Sequence, residues 1–409
     1  QYLFVMIDAF EKVPVQIFPS PKEGSAFVAQ EIAALIKEKA AQGKSCVLGL
    51  ATGSTPIKLY QELVRLHKEE GLSFKNVITF NLDEYFPIEQ DAPQSYWSFM
   101  HKHLFNHIDI DPKNIHIPSG KWPKDDIKKY CAEYDAAILH AGGIDLQILG
   151  IGGNGHIGFN EPGSSIISKT RLVNLANNTR LANAYEFSHL SKVPRLAVTM
   201  GIGTIMQSKR ILLMAFGHKG EIITRATEGD VTEQVPASIL QEHANCTFII
   251  DTTVSESLTR IKSPWLTGNC VWDKKLMKRA VIELSLKLDK EVLSLTAKDY
   301  NENGLADLLV EKSDAYEINL EVFYMLRDSL TGWPAGKPNA VIPAHPERSN
   351  PYPKKCLIFS PHPDDDIISM GGTFMRLHDQ GNEVHVAYQT SGNIAVSDEF
   401  VTRFLDFAV

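Results

Sequence analysis

Asp145-Leu-Gln-Ile-Leu149 runs directly into Gly150-Ile-Gly-Gly-Asn-Gly-His-Ile-Gly-Phe-Asn-Glu-Pro162. The first five residues form a short apolar run of strand length, and the next thirteen gather glycines, an imidazole, an amide and a carboxylate. Open α/β sheets place their ligands at the carboxyl ends of strands, in loops of this kind. Glycines can merely turn the chain, and a lone histidine is more often a satisfied core residue than a catalyst. Asn154, His156 and Glu161 crowded among glycines at one strand end favour an active site. Gly150, Gly152 and Gly155 also fit G-x-G-x-x-G, but the dinucleotide fingerprint needs an immediate helix and an acidic residue about twenty positions on. Phe159-Asn-Glu-Pro-Gly-Ser-Ser165 is instead a polar loop with helix breakers, and the region near Leu175 offers amides.

Upstream, Asn76-Val-Ile-Thr-Phe-Asn-Leu-Asp-Glu-Tyr85 alternates as a strand that ends at Asp83 and Glu84. A strand-end carboxylate beside a histidine suits proton abstraction next to a carbonyl, although acids there also cap turns. Cys46-Val-Leu-Gly-Leu-Ala-Thr-Gly-Ser-Thr-Pro56 is a third strand and loop, followed by an expected helix from Ile57 to Glu69. Free amides at that helix start, with the Thr52, Ser54 and Thr55 hydroxyls, make an anion site suited to a phosphorylated small molecule. No Gly-Lys-Ser/Thr follows, so the loop is not a nucleotide-hydrolysing P-loop. A well-capped helix with nothing bound is the bland alternative.

Together these loops resemble those of the glucosamine-6-phosphate deaminases, from about Val15 to about Ile261. Gln94-Ser-Tyr-Trp-Ser-Phe-Met100, Lys169-Thr-Arg171, Thr179-Arg-Leu-Ala-Asn183 and Gly217-His-Lys-Gly220 carry the same likeness. The related phosphogluconolactonases share the glycine-rich loop, but its Gly158-Phe-Asn-Glu-Pro162 ending looks like the deaminase branch. The resemblance implies an α/β fold with a Rossmann-like, mostly parallel sheet and helices on both faces. It also implies an aldose-ketose isomerising deaminase, formally a hydrolase, that takes glucosamine 6-phosphate to fructose 6-phosphate and ammonia without a cofactor. Asp83 then matches the base at the C2 proton, His156 the ring-opening acid/base and Glu161 the carboxylate that orients it. Asn154 stands where some members carry aspartate, and hydrogen-bonds the imidazole without adding charge. Thr52, Gly53, Ser54, Thr55, Gly152 and Lys219 match substrate-binding positions. Tyr185 replaces a common arginine, offering a neutral hydroxyl for a charged fork. Ser164, Ser165 and Arg171 match an effector site of allosteric members, but the usual lysine beyond that arginine is Val173, so activation is not expected. The segment from Gly163 to Tyr185 resembles the family's mobile lid, and a homo-oligomer is expected.

Past this domain (15–265), apolar residues recur at helical spacing over 271–331, with a break at Asn301-Glu-Asn-Gly304. A small helical region packed on the first domain is expected there, then a proline-rich linker over 332–353. At 354–409 a second α/β domain begins. Lys355-Cys-Leu-Ile-Phe-Ser-Pro-His-Pro-Asp-Asp-Asp366 is a strand running into a histidine and aspartates of metal-binding type. It resembles the opening of the LmbE/PIG-L N-acetylglucosaminyl deacetylases. That likeness makes His362 and Asp365 zinc ligands and Asp364 the general base. A third histidine ligand is missing, since His378 falls on an expected helix and His385 inside an expected strand. The domain is therefore incomplete, and zinc binding is expected only of a complete one.

Composition agrees. With 409 residues, 44% hydrophobic, the chain can bury a full core and carry two or more domains. A net charge of -8 disfavours nucleic acid and anionic membranes. Five scattered cysteines read as reduced core thiols of a cytoplasmic protein. The apolar opening Gln1-Tyr-Leu-Phe-Val-Met-Ile7 is too short to span a bilayer. The missing initiator methionine and abrupt end suggest a piece of a longer polypeptide. Against the enzyme stands a sugar-phosphate sensor that lost turnover with the change at Tyr185, a reading under which Asp83, His156 and Glu161 would have no use.

Overall fold

The computed structural model describes residues 10–312, 314–329, 355–379, 381–391 and 397–408. Its contacts divide the chain into Gln1–Cys270 and Val271–Val409. The expected linker over 332–353 lies outside the described residues, as does the apolar opening.

In the first unit, seven strands make one parallel sheet: β1 (Val15–Phe18), β2 (Cys46–Leu50), β3 (Val77–Asn81), β5 (Ile115–His116), β6 (Leu146–Leu149), β9 (Ile211–Ala215) and β10 (Cys246–Asp251). Their spatial order is β1-β10-β9-β6-β2-β3-β5. The apolar runs are buried on both sides, as a parallel sheet requires. Val47, Leu213 and Ile250 join one core cluster, while their neighbours Leu48, Leu212 and Ile249 join the other. This period-two division places a core on each sheet face. The helix Pro21–Ala41 belongs to the second cluster, its stripe Val28, Ile32 and Ile36 repeating every four residues. Ser20 caps it by accepting from the Glu23 amide, and Pro21 occupies the first turn.

Strand order decides where a ligand can sit. From β2 the chain goes to β3 on one side, while its other neighbour is β6. The loops after β2 and β6 therefore leave adjacent strand ends in opposite directions, opening the crevice typical of a topological switch point. The expected strand ending at Asp83 and Glu84 is corrected here. β3 stops at Asn81, and β4 (Asp83–Phe86) begins with those acids in a second, antiparallel sheet with β8 (Leu196–Thr199) and β7 (Arg171–Asn174), ordered β4-β8-β7. The turnover occurs at Leu82, whose N–H still bonds Leu50 of β2 while its carbonyl accepts from Met200. Apolar and polar residues alternate from Phe80 across Asn81 and Leu82 to Asp83 with no break at the turnover, which is why the sequence read the two strands as one.

The second unit holds the helices Lys274–Leu288, Ala297–Glu302, Ala306–Lys312 and Ala315–Ser329. Of the expected break at Asn301-Glu-Asn-Gly304, Asn301 and Glu302 close the second helix, and Asn303 and Gly304 lead toward the third. Farther on, β11 (Lys355–Ser360) and β12 (Glu383–Tyr388) pair in parallel around the helix Asp365–Asp379, and a last helix spans Asp398–Ala408. No helix among the described residues is long and apolar enough to cross a membrane.

Candidate active site

The loops after β2 and β6, with Asp83, enclose a cavity of about 710 Å³. Thr52, Gly53, Ser54, Thr55, Asp83, Gly152, His156, Tyr185 and Lys219 all line it, so the strand-end positions singled out in the sequence converge. The helix Ile57–Glu70 begins at this wall. Its cap residue Pro56 makes no side-chain hydrogen bond, which leaves the first-turn amides to be met from outside the helix.

Asp83 is 5% exposed. Burial, and then the charge of neighbouring Glu84, push its carboxyl up to about 8. Glu84 is itself pushed up to about 7 by burial, against the pull of three amides. Its carboxylate accepts from Tyr85, Tyr96 and Trp97, the last two opening the helix Tyr96–His103. Glu84 is thus fixed by a helix start while Asp83 faces the cavity. Gly158, at φ +57, keeps the space beside Asp83 free, since a Cβ there would lie 3.3 Å from Asp83 Oδ2 and 3.0 Å from Thr199 Oγ1.

His156 is held from one side. Its Nδ1 lies 2.7 Å from Asn154 Oδ1 and 3.4 Å from Glu161 Oε2. Asn154 in turn donates Nδ2–H to Glu161 Oε2 at 2.8 Å. With Nδ1 as donor toward this pair, Nε2 is left as the acceptor. Glu161 also accepts from the Thr179 hydroxyl at 2.5 Å and the Ala176 amide at 3.3 Å. Burial raises its carboxyl, but bonds from His156, Thr179 and Asn154 win and hold it at about 2. An ionised Glu161 therefore anchors the imidazole, both directly and through Asn154. Thr179 was not singled out as a contact to Glu161, because a separation of eighteen positions hides it from any local pattern.

The Lys219 ammonium donates to the Ile151 carbonyl at 2.6 Å, and burial lowers its pKa. Tyr185 is 73% exposed, with its hydroxyl on Glu186 at 2.8 Å. The segment expected as a lid carries β7 and the helix Asn177–Asn183, and supplies Thr179, Ala182 and Tyr185 to the cavity wall. Arg171 donates to Asn160 at 2.8 Å and Ser164 at 3.2 Å. Neither Arg171, Ser164 nor Ser165 lines the cavity, and the Ser165 carbonyl accepts from the Ser168 amide. Lys102 and His103 do line it and were missed, since a basic turn at a helix end reads as a solvated face.

In the second unit, His362 Nδ1 is 3.0 Å from Asp365 Oδ2, which also accepts the His362 amide at 3.1 Å. The two expected zinc ligands are thus engaged with each other. Asp364 lies at the start of the following helix turn, and its amide bonds the His362 carbonyl. His378 falls on the helix and His385 in β12, where it meets Glu383 at 2.8 Å. Among the described residues no three ligand-type side chains converge, so the residues here do not fit a complete zinc site.

Residues 19–249 match the model for glucosamine-6-phosphate isomerases/6-phosphogluconolactonase, and residues 357–400 that for GlcNAc-PI de-N-acetylase. A glucosamine-6-phosphate deaminase-like protein of Bacteroides thetaiotaomicron is 48% identical over 403 residues, 98% of this chain and 61% of that protein. The chain thus spans less than two thirds of that relative's length. Glucosamine-6-phosphate deaminase 2 of Bacillus subtilis is 51% identical over 229 residues, 55% of this chain and 91% of that one. A solved monomeric glucosamine-6-phosphate deaminase shares 44% identity at a TM-score of 0.57, over 60% of this chain and 99% of its own. That relative is a monomer, whereas the sequence reading expected a homo-oligomer.

Proposed function

The chain belongs to the glucosamine-6-phosphate isomerase/6-phosphogluconolactonase family, and from that premise we propose that its first unit is a glucosamine-6-phosphate deaminase. The reaction consumes glucosamine 6-phosphate and water and yields fructose 6-phosphate and ammonia. His156 Nε2 assists ring opening by proton transfer at the ring oxygen. Asp83 takes the C2 proton and returns it to C1. Water then adds at C2 as the amine leaves as ammonia. The carrying observation is the buried Asp83 carboxyl in the same cavity wall as an imidazole anchored through Asn154 and Glu161. A carboxyl raised to about 8 is matched to abstracting a proton from carbon. Lactone hydrolysis removes no such proton and gives Asp83 no comparable task.

The setting we infer is amino-sugar catabolism in the cytoplasm, supported by the buried thiols of Cys46, Cys131 and Cys246. In the whole protein, the de-N-acetylase-like segment would expose the amine that the first unit expels. The test is ammonia release from glucosamine 6-phosphate and from free glucosamine. Release from the phosphorylated sugar supports the reading; calorimetric binding with no release from either would favour a sensor.

Tyr185 gives a sharper expectation. Its hydroxyl is already taken by Glu186, so it offers the phosphate little. Tyr185→Arg is expected to lower KM for glucosamine 6-phosphate by about tenfold, the worth of one charge-assisted contact. An unchanged or higher KM in steady-state assays would place position 185 outside phosphate recognition.

A further inference from the structure

A substrate phosphate in this cavity would call for a cation, and Tyr185 supplies none. The lysines in its wall are Lys102 and Lys219, and the Lys219 ammonium is partly engaged by a carbonyl. Glu186, beside Tyr185, adds an acid to the same wall. Lys102 and His103 close the helix Tyr96–His103, whose first amides bond Glu84 next to Asp83. Six residues along a helix advance about 9 Å, so the helix leads from the carboxylates to a basic end. Phe99, Lys102 and His103 stand three and four residues apart on one helix face, and all three line the cavity. The Phe99 and His103 rings lie 4.5 Å apart. Lys102 is exposed and makes no ion pair among the described residues.

We propose that Lys102, with His103 beside it, binds the phosphate end of the substrate in place of the arginine expected at Tyr185, and so sets the preference for phosphorylated over free amino sugar. The inference rests on the reading of the first unit as a sugar-phosphate deaminase. Burial and the nearby charges of Lys102 and His107 hold the His103 imidazole below its ordinary value. A bound dianion opposes that push, so occupancy of this end raises the His103 titration.

Lys102→Met is expected to raise KM for glucosamine 6-phosphate at least about tenfold while kcat stays within about twofold, the signature of lost uniform binding. Lys113→Met, an exposed lysine outside the cavity wall, controls for net charge and should change neither. In the wild type, saturating inorganic phosphate should move the His103 NMR titration upward, and Lys102→Met should weaken that phosphate binding by a similar factor. An unchanged KM together with unchanged phosphate affinity in Lys102→Met overturns the proposal. If the wild type releases no ammonia, the deaminase reading fails by itself. Phosphate calorimetry then still decides: a tenfold loss in Lys102→Met upholds the anion site, and equal affinity rejects it.

Discussion

Asp83→Asn is expected to cut ammonia release from glucosamine 6-phosphate by about 10²- to 10⁴-fold, the usual range for losing a positioned general base. Asparagine keeps the shape of the side chain but cannot accept a proton from carbon. The pH profile follows from the same carboxyl. Only its ionised form is a base, and its pKa lies at about 8, so kcat/KM should climb through neutral pH and level off above that value. Loss of this ascending limb in the variant, measured from pH 6 to 9, would tie it to Asp83. An identical limb would assign it elsewhere.

The substitution has an opposite effect on stability. Asp83 titrates near 3.8 unfolded and about 8 folded, so the folded state holds the extra proton between those values. Stability is greatest below the unfolded value and is lost as pH rises through the folded one. At pH 8 the wild type therefore bears the cost of a buried charge that Asp83→Asn does not. The shift from 3.8 to about 8 corresponds to as much as ~6 kcal/mol at pH 8, so the variant should melt at least several degrees higher there. That difference should vanish toward pH 4. A variant that is both inactive and less stable at pH 8 would point to a structural role.

How much of this was legible depended on how far apart in sequence the partners lie. The loops after β2 and β6 could be read directly, because strand, glycine turn and polar residues are contiguous, and the sheet order brings them side by side. Asn154, His156 and Glu161 are neighbours in the chain and meet in space. The passage from β3 to β4 was hidden, since Leu82 is buried like the residues flanking it and leaves no mark where one sheet gives way to another. Glu84 emerges beside Asp83 with no role legible in the sequence, since the helix start it holds lies twelve residues on. Lys102 was invisible for the opposite reason: exposure and charge at a helix end are the commonest pattern on any surface, and only its place in the cavity wall gives it meaning.

Gly152→Ala tests whether the held imidazole matters, and its expected cost is about 10²-fold in kcat/KM, the scale on which a misplaced catalytic group is felt. A Cβ at Gly152 would fall 2.1 Å from Cε1, 2.3 Å from Nε2 and 2.4 Å from Nδ1 of His156. Gly152 has no left-handed φ, so its backbone accepts alanine and the conflict is with the ring alone. The loop has little freedom to yield, because the Gly152 amide bonds the His156 carbonyl and the Gly152 carbonyl accepts from Gly155, both at 2.9 Å. The ring must therefore swing out, breaking the contact to Asn154 and leaving Glu161 without one of its donors. Gly153→Ala, one residue along, meets nothing within 4 Å, and should leave the His156 ring resonances in place. A Gly152→Ala enzyme with normal turnover and unshifted His156 resonances would show that the backbone relaxes around the methyl, and that the imidazole's position is set less tightly than the Asn154 and Glu161 contacts imply.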